Sequence, residues 1–275
     1  MKLFIACLLA LPLFASALTN SNPALETEFD SVVSVNSDQL SDGQRFPGYC
    51  NATMIHPRVL ISAAHCWAST YQLRDQRLNY QFGQYIYKTQ PDGKQKRIGY
   101  ATKLKGTAKV QFYFTRSLTQ QLNSNRQGHI DPNNDIAIAV LSEPIAGADI
   151  FGLTEVISKS EHQGIQSRLT QYWPTVVSIN YTTEMSTDTR QKMTLNQASA
   201  NGGHYTSNSS SRVEEGDSGA PLIVRIGKSW KVAGVVKGRA ETIFSNWDVY
   251  TMADNKLCDI ASQITDPEIK KAICK

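Results

Sequence analysis

Short apolar segments separated by turn-forming residues occupy the chain from residue 31 to about residue 255. The segments are rich in β-branched and aromatic residues and are interrupted by Gly, Pro and Asn, a pattern typical of β-strands. The predicted strands are 31–35, 52–55, 59–62, 85–87, 110–114, 136–141, 169–173, 176–179, 222–224 and 231–236, with a hairpin turn at 90–94. Because short strands with frequent turns suit closed barrels, the pattern predicts an all-β fold.

Helical periodicity is visible only near the C-terminus, and no helix is predicted before residue 256. Apolar residues recur with the 3.6-residue spacing of an amphipathic helix at Leu257, Ile260, Ala261 and Ile264. A second short helix is predicted to start at Asp266-Pro267-Glu268, because proline is tolerated in the first turn of a helix.

The first 17 residues have the features of a secretory signal peptide. Met1-Lys2 supplies a positive start, residues 3–14 form a short apolar run, and Ala15-Ser16-Ala17 is a small-residue cleavage site. The run is shorter than the roughly 20 residues that a membrane-spanning helix needs, and no later segment is apolar enough to span. We therefore expect cleavage after Ala17 and a secreted protein without a membrane span.

The composition fits one large all-β domain or two small ones. The chain has 275 residues, of which 41% are hydrophobic, so it can bury a sizeable core. Its net charge of +4 is mild, and no run of Lys and Arg is interleaved with aromatic residues. We therefore expect no nucleic-acid partner. No His or Cys cluster has the spacing of metal ligands, so neither a metal nor another cofactor is predicted.

Three segments carry the residues that a serine nucleophile requires. Gly216-Asp217-Ser218-Gly219 places a serine between glycines, which permit close approach of a substrate. His65 closes the apolar strand 59–62, and Asp135 opens the strand 136–141. A serine hydroxyl needs a base and an orienting acid, which these two residues would supply. Singly, each has a structural explanation as a turn serine, a packed histidine or a strand-start cap, but together they favour catalysis.

In the order His65, Asp135, Ser218, the three segments resemble the chymotrypsin/trypsin family of serine endopeptidases. The resemblance covers roughly residues 30–255. It implies two six-stranded antiparallel barrels packed at right angles, followed by a C-terminal helix. It also implies that Ser218 is the nucleophile, His65 the general base and Asp135 the group that orients the imidazole. The N–H groups of Gly216 and Ser218 would form the oxyanion hole.

The resemblance gives Asp217 a role as the partner of the chain's N-terminus. In the family, a freed Ile-Val-Gly-Gly inserts, and its amine pairs with the aspartate before the nucleophile. This sequence lacks that segment, and Leu18-Thr19-Asn20-Ser21 lies about where it would fall. One hypothesis is that signal cleavage itself exposes the amine that meets Asp217. The alternative is a disordered arm or a propeptide that is cleaved further.

Four cysteines remain after the predicted cleavage, an even number that favours disulfides in an exported chain. The family closes its histidine loop with a disulfide at the places of Cys50 and Cys66. Cys258 and Cys274 are left to pair with each other, so the second disulfide is predicted by elimination.

The segments that line the substrate pocket in the family are altered here. Arg212 stands six residues before the nucleophile, where an aspartate would give cleavage after Lys or Arg. It could attract an acidic substrate side chain, or it could pair with Glu214 or Glu215 at the surface. The family's Ser-Trp-Gly segment falls near Lys237-Gly238-Arg239, so Gly238 is kept and Lys237 could narrow or charge the pocket.

We therefore predict a secreted serine endopeptidase that acts as a monomer on polypeptide substrates. The alternatives are a trypsin-fold binding or adhesion protein with impaired catalysis, and an esterase with the same triad. The predicted organisation is a signal peptide (1–17), an N-terminal arm (18–30), a peptidase domain (31–255) and a C-terminal helical tail (256–275). Within the peptidase domain, the first barrel covers about 31–143 and the second about 144–255.

Overall fold

The computed structural model describes residues 18, 22–24, 29–37, 40–41, 44–45, 50–70, 76–91, 95–124, 129–180, 189–208, 210–241 and 246–275. The predicted signal peptide and part of the predicted turn at 90–94 lie outside these ranges.

Strands account for most of the regular structure. Those of the first part of the chain are β1 (Asn22–Pro23), β2 (Val32–Ser37), β3 (Leu40–Ser41), β4 (Gln44–Arg45), β5 (Cys50–His56), β6 (Val59–Ser62), β7 (Arg77–Thr89), β8 (Gln95–Phe114) and β9 (Ala137–Leu141). Those of the second part are β10 (Glu155–Val156), β11 (Thr175–Asn180), β12 (Thr189–Thr194), β13 (Ser199–Asn201), β14 (His204–Ser207), β15 (Pro221–Ile226), β16 (Ser229–Glu241) and β17 (Asn246–Met252). The helices are α1 (Arg116–Asn123), α2 (Ala148–Phe151), α3 (Lys159–Ile165), α4 (Asn255–Ala261) and α5 (Pro267–Ile273).

The first half of the fold is a closed six-stranded barrel in the order β2-β5-β6-β9-β8-β7, and every pairing in it is antiparallel. Apolar side chains fill its interior, among them Leu60 of β6, Phe82 of β7 and Phe112 of β8. Trp67 and Phe112 stack in this core with ring centroids 4.9 Å apart. β7 and β8 pair as far as Thr89 and Gln95, so the two strands form a hairpin around the predicted turn. The prediction of an all-β barrel is confirmed here.

The second half is a sheet of nine strands among the described residues, in the order β1-β12-β11-β15-β16-β17-β14-β13, with β10 beside β16. Within this sheet, β1 comes from the N-terminal arm and pairs with β12. The arm residue Asp30 also forms a buried ion pair with Arg190 of β12. The arm is therefore attached to the second half of the fold. A shared core cluster that includes Ile61, Ile223 and Ile260 joins the two halves to the C-terminal helices.

The expectation that no helix precedes residue 256 was wrong, because α1, α2 and α3 lie within the described part of the chain. Side-chain caps start two of them. The Thr115 hydroxyl accepts the N–H of Leu118 at the start of α1, and Ser158 and Glu161 form a capping box at the start of α3. These helices are short and bury few residues, so hydrophobic periodicity gives little signal for them.

The predicted strand at 169–173 was also wrong. Leu169–Tyr172 form a 3-10 helix, and Trp173 at its end has φ of +54°, a left-handed value outside the range of strands. The apolar and aromatic residues that favoured a strand instead include Leu169, which is buried in the core of the second half.

Both predicted C-terminal helices are confirmed as α4 and α5. Pro267 lies in the first turn of α5, and the Asp266 carboxylate caps that turn by accepting the N–H groups of Glu268 and Ile269. The predicted Cys258–Cys274 disulfide connects the two helices. No helix in the described residues is long and apolar enough to cross a membrane.

Candidate active site

The pairing of β6 with β9 brings His65 and Asp135 together. Ser62 pairs with Ala137, so the residues that follow β6 meet those that precede β9. Nδ1 of His65 lies 2.8 Å from Oδ2 of Asp135, and the backbone N–H of His65 donates to Oδ1 at 2.8 Å. The carboxylate therefore holds both the ring and the backbone of His65, and Nε2 makes no hydrogen bond to another described residue.

Asp135 is fully buried and nevertheless favours its charged form. Burial by itself would raise the pKa of this carboxyl, but the hydrogen bonds and charge of His65 and the charge of Lys237 hold that pKa below its usual range. The His65 side chain is 33% exposed, so a substrate can reach the ring. An accessible imidazole oriented by a carboxylate is the arrangement of a general base.

The Cys50–Cys66 disulfide anchors the segment of His65, as the resemblance implied. The two sulfur atoms and a ring nitrogen of His65 lie within 4.8 Å of one another, a distance at which three ligands could hold a metal. Cysteine binds metals as a thiolate, and the disulfide removes that form. The cluster is therefore a structural anchor.

The loop of Ser218 lies against the strand that leads to His65. The backbone N–H of Asn51 donates to the Ser218 carbonyl at 2.7 Å. A Cβ atom at Gly219 would lie 2.0 Å from the Ser62 hydroxyl oxygen and 2.2 Å from the Asn51 carbonyl oxygen. The φ of Gly219 is +76°, so both space and backbone conformation require glycine. This close contact sets the Ser218 loop beside the segment that carries His65.

The predicted oxyanion-hole donors lie on this loop. Neither the N–H of Gly216 nor that of Ser218 has an acceptor within the part of the chain that the structure describes. Gly216 has φ of +99°, and its carbonyl oxygen accepts Nδ2–H of Asn51 at 2.9 Å. Two N–H groups without internal acceptors on one turn are donors that a developing oxyanion could use.

Asp217 is part of this loop, and its buried carboxylate contacts residue 18. Its Oδ2 accepts the backbone N–H groups of Leu18 and Glu214, each at 2.8 Å. Burial raises the pKa of Asp217 to about 6, although the Ser178 hydroxyl and these two N–H groups act in the opposite direction. The Leu18 side chain is buried in the core of the second half. The first residue after the predicted cleavage site therefore meets Asp217.

The residues predicted for the substrate pocket come from the segment before Ser218 and from β16. Nη2 of Arg212 donates to Oδ1 of Asn208 at 3.1 Å. Glu214 pairs with Arg239 at 3.6 Å. Gly238 has φ of +140° and lies at a register shift between β16 and β17. Lys237 directs its ammonium group towards the predicted triad: Nζ lies 3.1 Å from Oδ2 of Asp135.

Asp248 was missed by the sequence analysis. It lies fully buried on β17, where its Oδ2 accepts the Val213 N–H at 3.3 Å and the Tyr250 hydroxyl at 3.4 Å. Its Oδ1 has no hydrogen-bond partner within the described residues. Burial raises the pKa of Asp248 to about 6, against the lowering effect of the Val213 N–H and the charges of Arg212 and Arg239. A single aspartate in a strand gives no sequence signal for such a position.

Asn51 was also missed. Its Nδ2 donates to the Ser178 hydroxyl at 3.1 Å and to the Gly216 carbonyl at 2.9 Å, while its Oδ1 accepts the Ile179 N–H at 2.7 Å. One amide thus joins β5 of the barrel to β11 and to the Ser218 loop. The available signal was an amide residue next to the apolar positions of a predicted strand.

Comparison with known proteins identifies the family of this chain. The sequence model of the trypsin family matches residues 20–257, a range that includes His65, Asp135 and Ser218. A comparison with curated proteins found no match. Because the family match covers most of the chain, and because the fold contains the closed six-stranded barrel expected of it, the chain belongs to the trypsin family.

Proposed function

We propose that this protein is a secreted serine endopeptidase that hydrolyses peptide bonds in polypeptides through an acyl-enzyme intermediate. The observation that carries the proposal is the contact of His65 with the buried carboxylate of Asp135, next to the loop of Ser218. Nucleophile, base and orienting acid come from three distant segments, and a binding protein would have no need to keep all three.

In the proposed reaction, the Ser218 hydroxyl attacks the scissile carbonyl carbon while Nε2 of His65 takes its proton. The oxyanion that forms accepts hydrogen bonds from the N–H groups of Gly216 and Ser218. His65 then gives its proton to the leaving amine, which breaks the peptide bond and leaves an ester on Ser218. A water molecule, activated by His65, hydrolyses this ester. Asp135 keeps the Nδ1–H tautomer in place and stabilises the imidazolium in both halves of the reaction.

We further propose that signal cleavage after Ala17 converts the nitrogen of Leu18 into an ammonium group that pairs with Asp217. Leu18 has φ of +51°, which a leucine disfavours because its side chain and the preceding carbonyl crowd the backbone. A chain that begins at Leu18 has no preceding carbonyl, so this restriction disappears. The new ammonium group would also give the buried Asp217 carboxylate a charged partner, which a peptide N–H cannot supply.

The test of the proposed activity is labelling with a fluorophosphonate probe, combined with hydrolysis of peptide and ester substrates. The wild-type protein should label and cleave peptides, and Ser218→Ala should do neither, with a loss of about 10⁶ in kcat. Ser210→Ala changes an exposed serine on the same segment and should behave as the wild type.

The alternatives predict different results. Labelling with hydrolysis of esters only would favour an esterase. A folded wild-type protein that begins at Leu18 and does not label would favour a binding protein of the trypsin fold.

A further inference from the structure

Lys237 occupies a position expected to line the substrate pocket, but its ammonium group lies against the proposed triad. Nζ is 3.1 Å from Oδ2 of Asp135 and 3.1 Å from the carbonyl oxygen of Ile130. The side chain is only 16% exposed. Its neighbour Val236 accepts the N–H of Gly219, so β16 runs directly beside the Ser218 loop. The position of Lys237 on β16 therefore places its ammonium group next to Asp135 of the proposed triad.

The Asp135 carboxylate thus has two partners that can carry positive charge, and both contact the same oxygen. Nδ1 of His65 lies 2.8 Å from Oδ2, and Nζ of Lys237, which comes from β16, lies 3.1 Å from the same atom. Other charged groups of the described neighbouring segments have partners of their own. Asp131 accepts the N–H of Asn133, Arg239 pairs with Glu214, and Lys256 pairs with Asp254.

A carboxylate favours protonation of a neighbouring imidazole because it stabilises the imidazolium cation. That stabilisation is reduced when the carboxylate already neutralises a second cation, and the second cation also repels the imidazolium. In this site, Lys⁺, Asp⁻ and His⁺ would together carry a net positive charge in a partly buried space. Lys237 should therefore weaken the stabilisation that Asp135 gives to an imidazolium at His65.

We propose that Lys237 is a positioning residue that holds the Asp135 carboxylate and weakens the stabilisation that this carboxylate gives to the imidazolium form of His65. The proposal rests on the proposed function, because it assumes that His65 is the general base. In this proposal, Lys237 influences the pH dependence of the reaction and does not recognise a substrate side chain.

The first experiment is the pH profile of kcat/KM for Lys237→Met, which keeps the length of the side chain without its charge. The acid limb of the profile should move to higher pH by roughly one unit, which is the scale expected when a unit charge on the far side of a shared carboxylate is removed. Lys237→Arg keeps the charge and should leave the limb near its wild-type position. Lys231→Met is the matched control, since Lys231 lies on the same strand, is also 16% exposed and pairs with Glu161 at 2.7 Å.

The second experiment needs no turnover. In a Ser218→Ala background, the ring carbon-bound protons of the histidines are titrated by NMR, and the signal of His65 is assigned by its absence in His65→Gln. The midpoint for His65 should move to higher pH in Lys237→Met and stay in place in Lys231→Met. Should Lys237→Met fail to fold, Lys237→Gln replaces it as an uncharged variant that keeps a donor.

The outcomes separate the two proposals. The proposed role of Lys237 would be overturned if the wild type and Lys237→Met had the same titration midpoint for His65 and the same acid limb in the pH profile of kcat/KM. A change in KM for acidic substrates alone would also overturn it and would return Lys237 to the pocket. Absence of hydrolysis together with a shifted His65 titration would refute the proposed function while leaving the coupling of Lys237 to His65 in place.

Discussion

Asn51 shows how one side chain can hold several parts of a site. Its amide uses two donors and one acceptor, on Ser178, Gly216 and Ile179, and the residue is only 1% exposed. Truncation would leave the buried N–H of Ile179 and the partly buried carbonyl of Gly216 without this partner, and a fully buried group costs about 1–3 kcal/mol in that state. The carbonyl of Gly216 would also lose the contact that fixes the backbone of the proposed oxyanion hole.

We therefore expect Asn51→Ala to lower the free energy of unfolding by about 2–4 kcal/mol and to lower kcat by at least roughly tenfold. Denaturant titration and peptide hydrolysis measure the two effects. Thr154→Ala is the control, because the buried Thr154 hydroxyl also joins the two halves, through Ser31, without contacting the Ser218 loop. An Asn51→Ala protein with wild-type kcat would show that Gly216 keeps its position without this contact.

At the scale of elements, the N-terminal arm is part of the second half of the fold. β1 extends the nine-stranded sheet, Asp30 pairs with Arg190, and Leu18 is buried among core residues. An arm held at three points along its length can present its first nitrogen at a defined place. That nitrogen contacts Asp217 of the Ser218 loop, so its conversion from an amide into an ammonium group can change the stability of this loop.

Retention of one residue before Leu18 should therefore impair the protein. The change replaces an ammonium group by a neutral amide next to buried Asp217, which costs on the order of 3–5 kcal/mol if the charge stays unpaired. We expect a lower melting temperature and a kcat reduced by at least roughly tenfold relative to the chain that begins at Leu18. Both proteins can be released from a fusion by a site-specific protease. N-terminal sequencing of the naturally secreted form gives the independent check, since a start beyond Leu18 would contradict the proposal.

Helices and strands were predicted correctly where the hydrophobic pattern and the length of the segment indicated the same structure. The prediction failed where a helix cap or a turn determined the structure. The apolar period at Leu257, Ile260 and Ala261 is that of a helix, and the structure has α4 there. The segment Leu169–Tyr172 has the composition of a strand, but it forms a 3-10 helix that ends at the left-handed backbone of Trp173. Short capped helices such as α1 and α3 depend on side-chain hydrogen bonds that periodicity does not register.

At the scale of the molecule, the proposed site exists only because the two halves pack together. His65 and Asp135 belong to the closed barrel, and Ser218 belongs to the second half. The two contacts across this boundary at Gly219 leave no room for a Cβ atom. A change that separates the halves should therefore abolish activity before either half loses its strands.

Burial of charge in the second half predicts a pH dependence of stability. The pKa of Asp248 is about 6 in the fold against 3.8 for the ordinary group. Because the folded value is the higher one, the folded state binds the proton more tightly, and this stabilisation is lost as the pH rises through about 6.

Between pH 4 and pH 7, the free energy of unfolding should therefore fall more in the protein with Asp248 than in Asp248→Asn, by up to about 3 kcal/mol. Denaturant titrations at the two pH values, in a Ser218→Ala background that prevents self-cleavage, measure the difference. Asp259→Asn removes a partly exposed carboxylate of α4 and should keep the wild-type dependence. An identical pH dependence in the Asp248→Asn protein would mean that Asp248 is not protonated more readily in the fold.

Local pattern was sufficient for the all-β class and the C-terminal helices, because each depends on residues that are near one another in the chain. The family resemblance implied the Cys50–Cys66 disulfide, elimination left Cys258 and Cys274 to pair, and short motifs led to the prediction of His65, Asp135 and Ser218 as the triad. Only the tertiary structure showed which side chains surround His65, Asp135 and Ser218. Lys237 reaches Asp135 across 102 positions, and Asn51 reaches the Gly216 carbonyl across 165. Such contacts arise from the packing of strands from different halves, and neither hydrophobic period nor motif spacing encodes which distant side chains will meet.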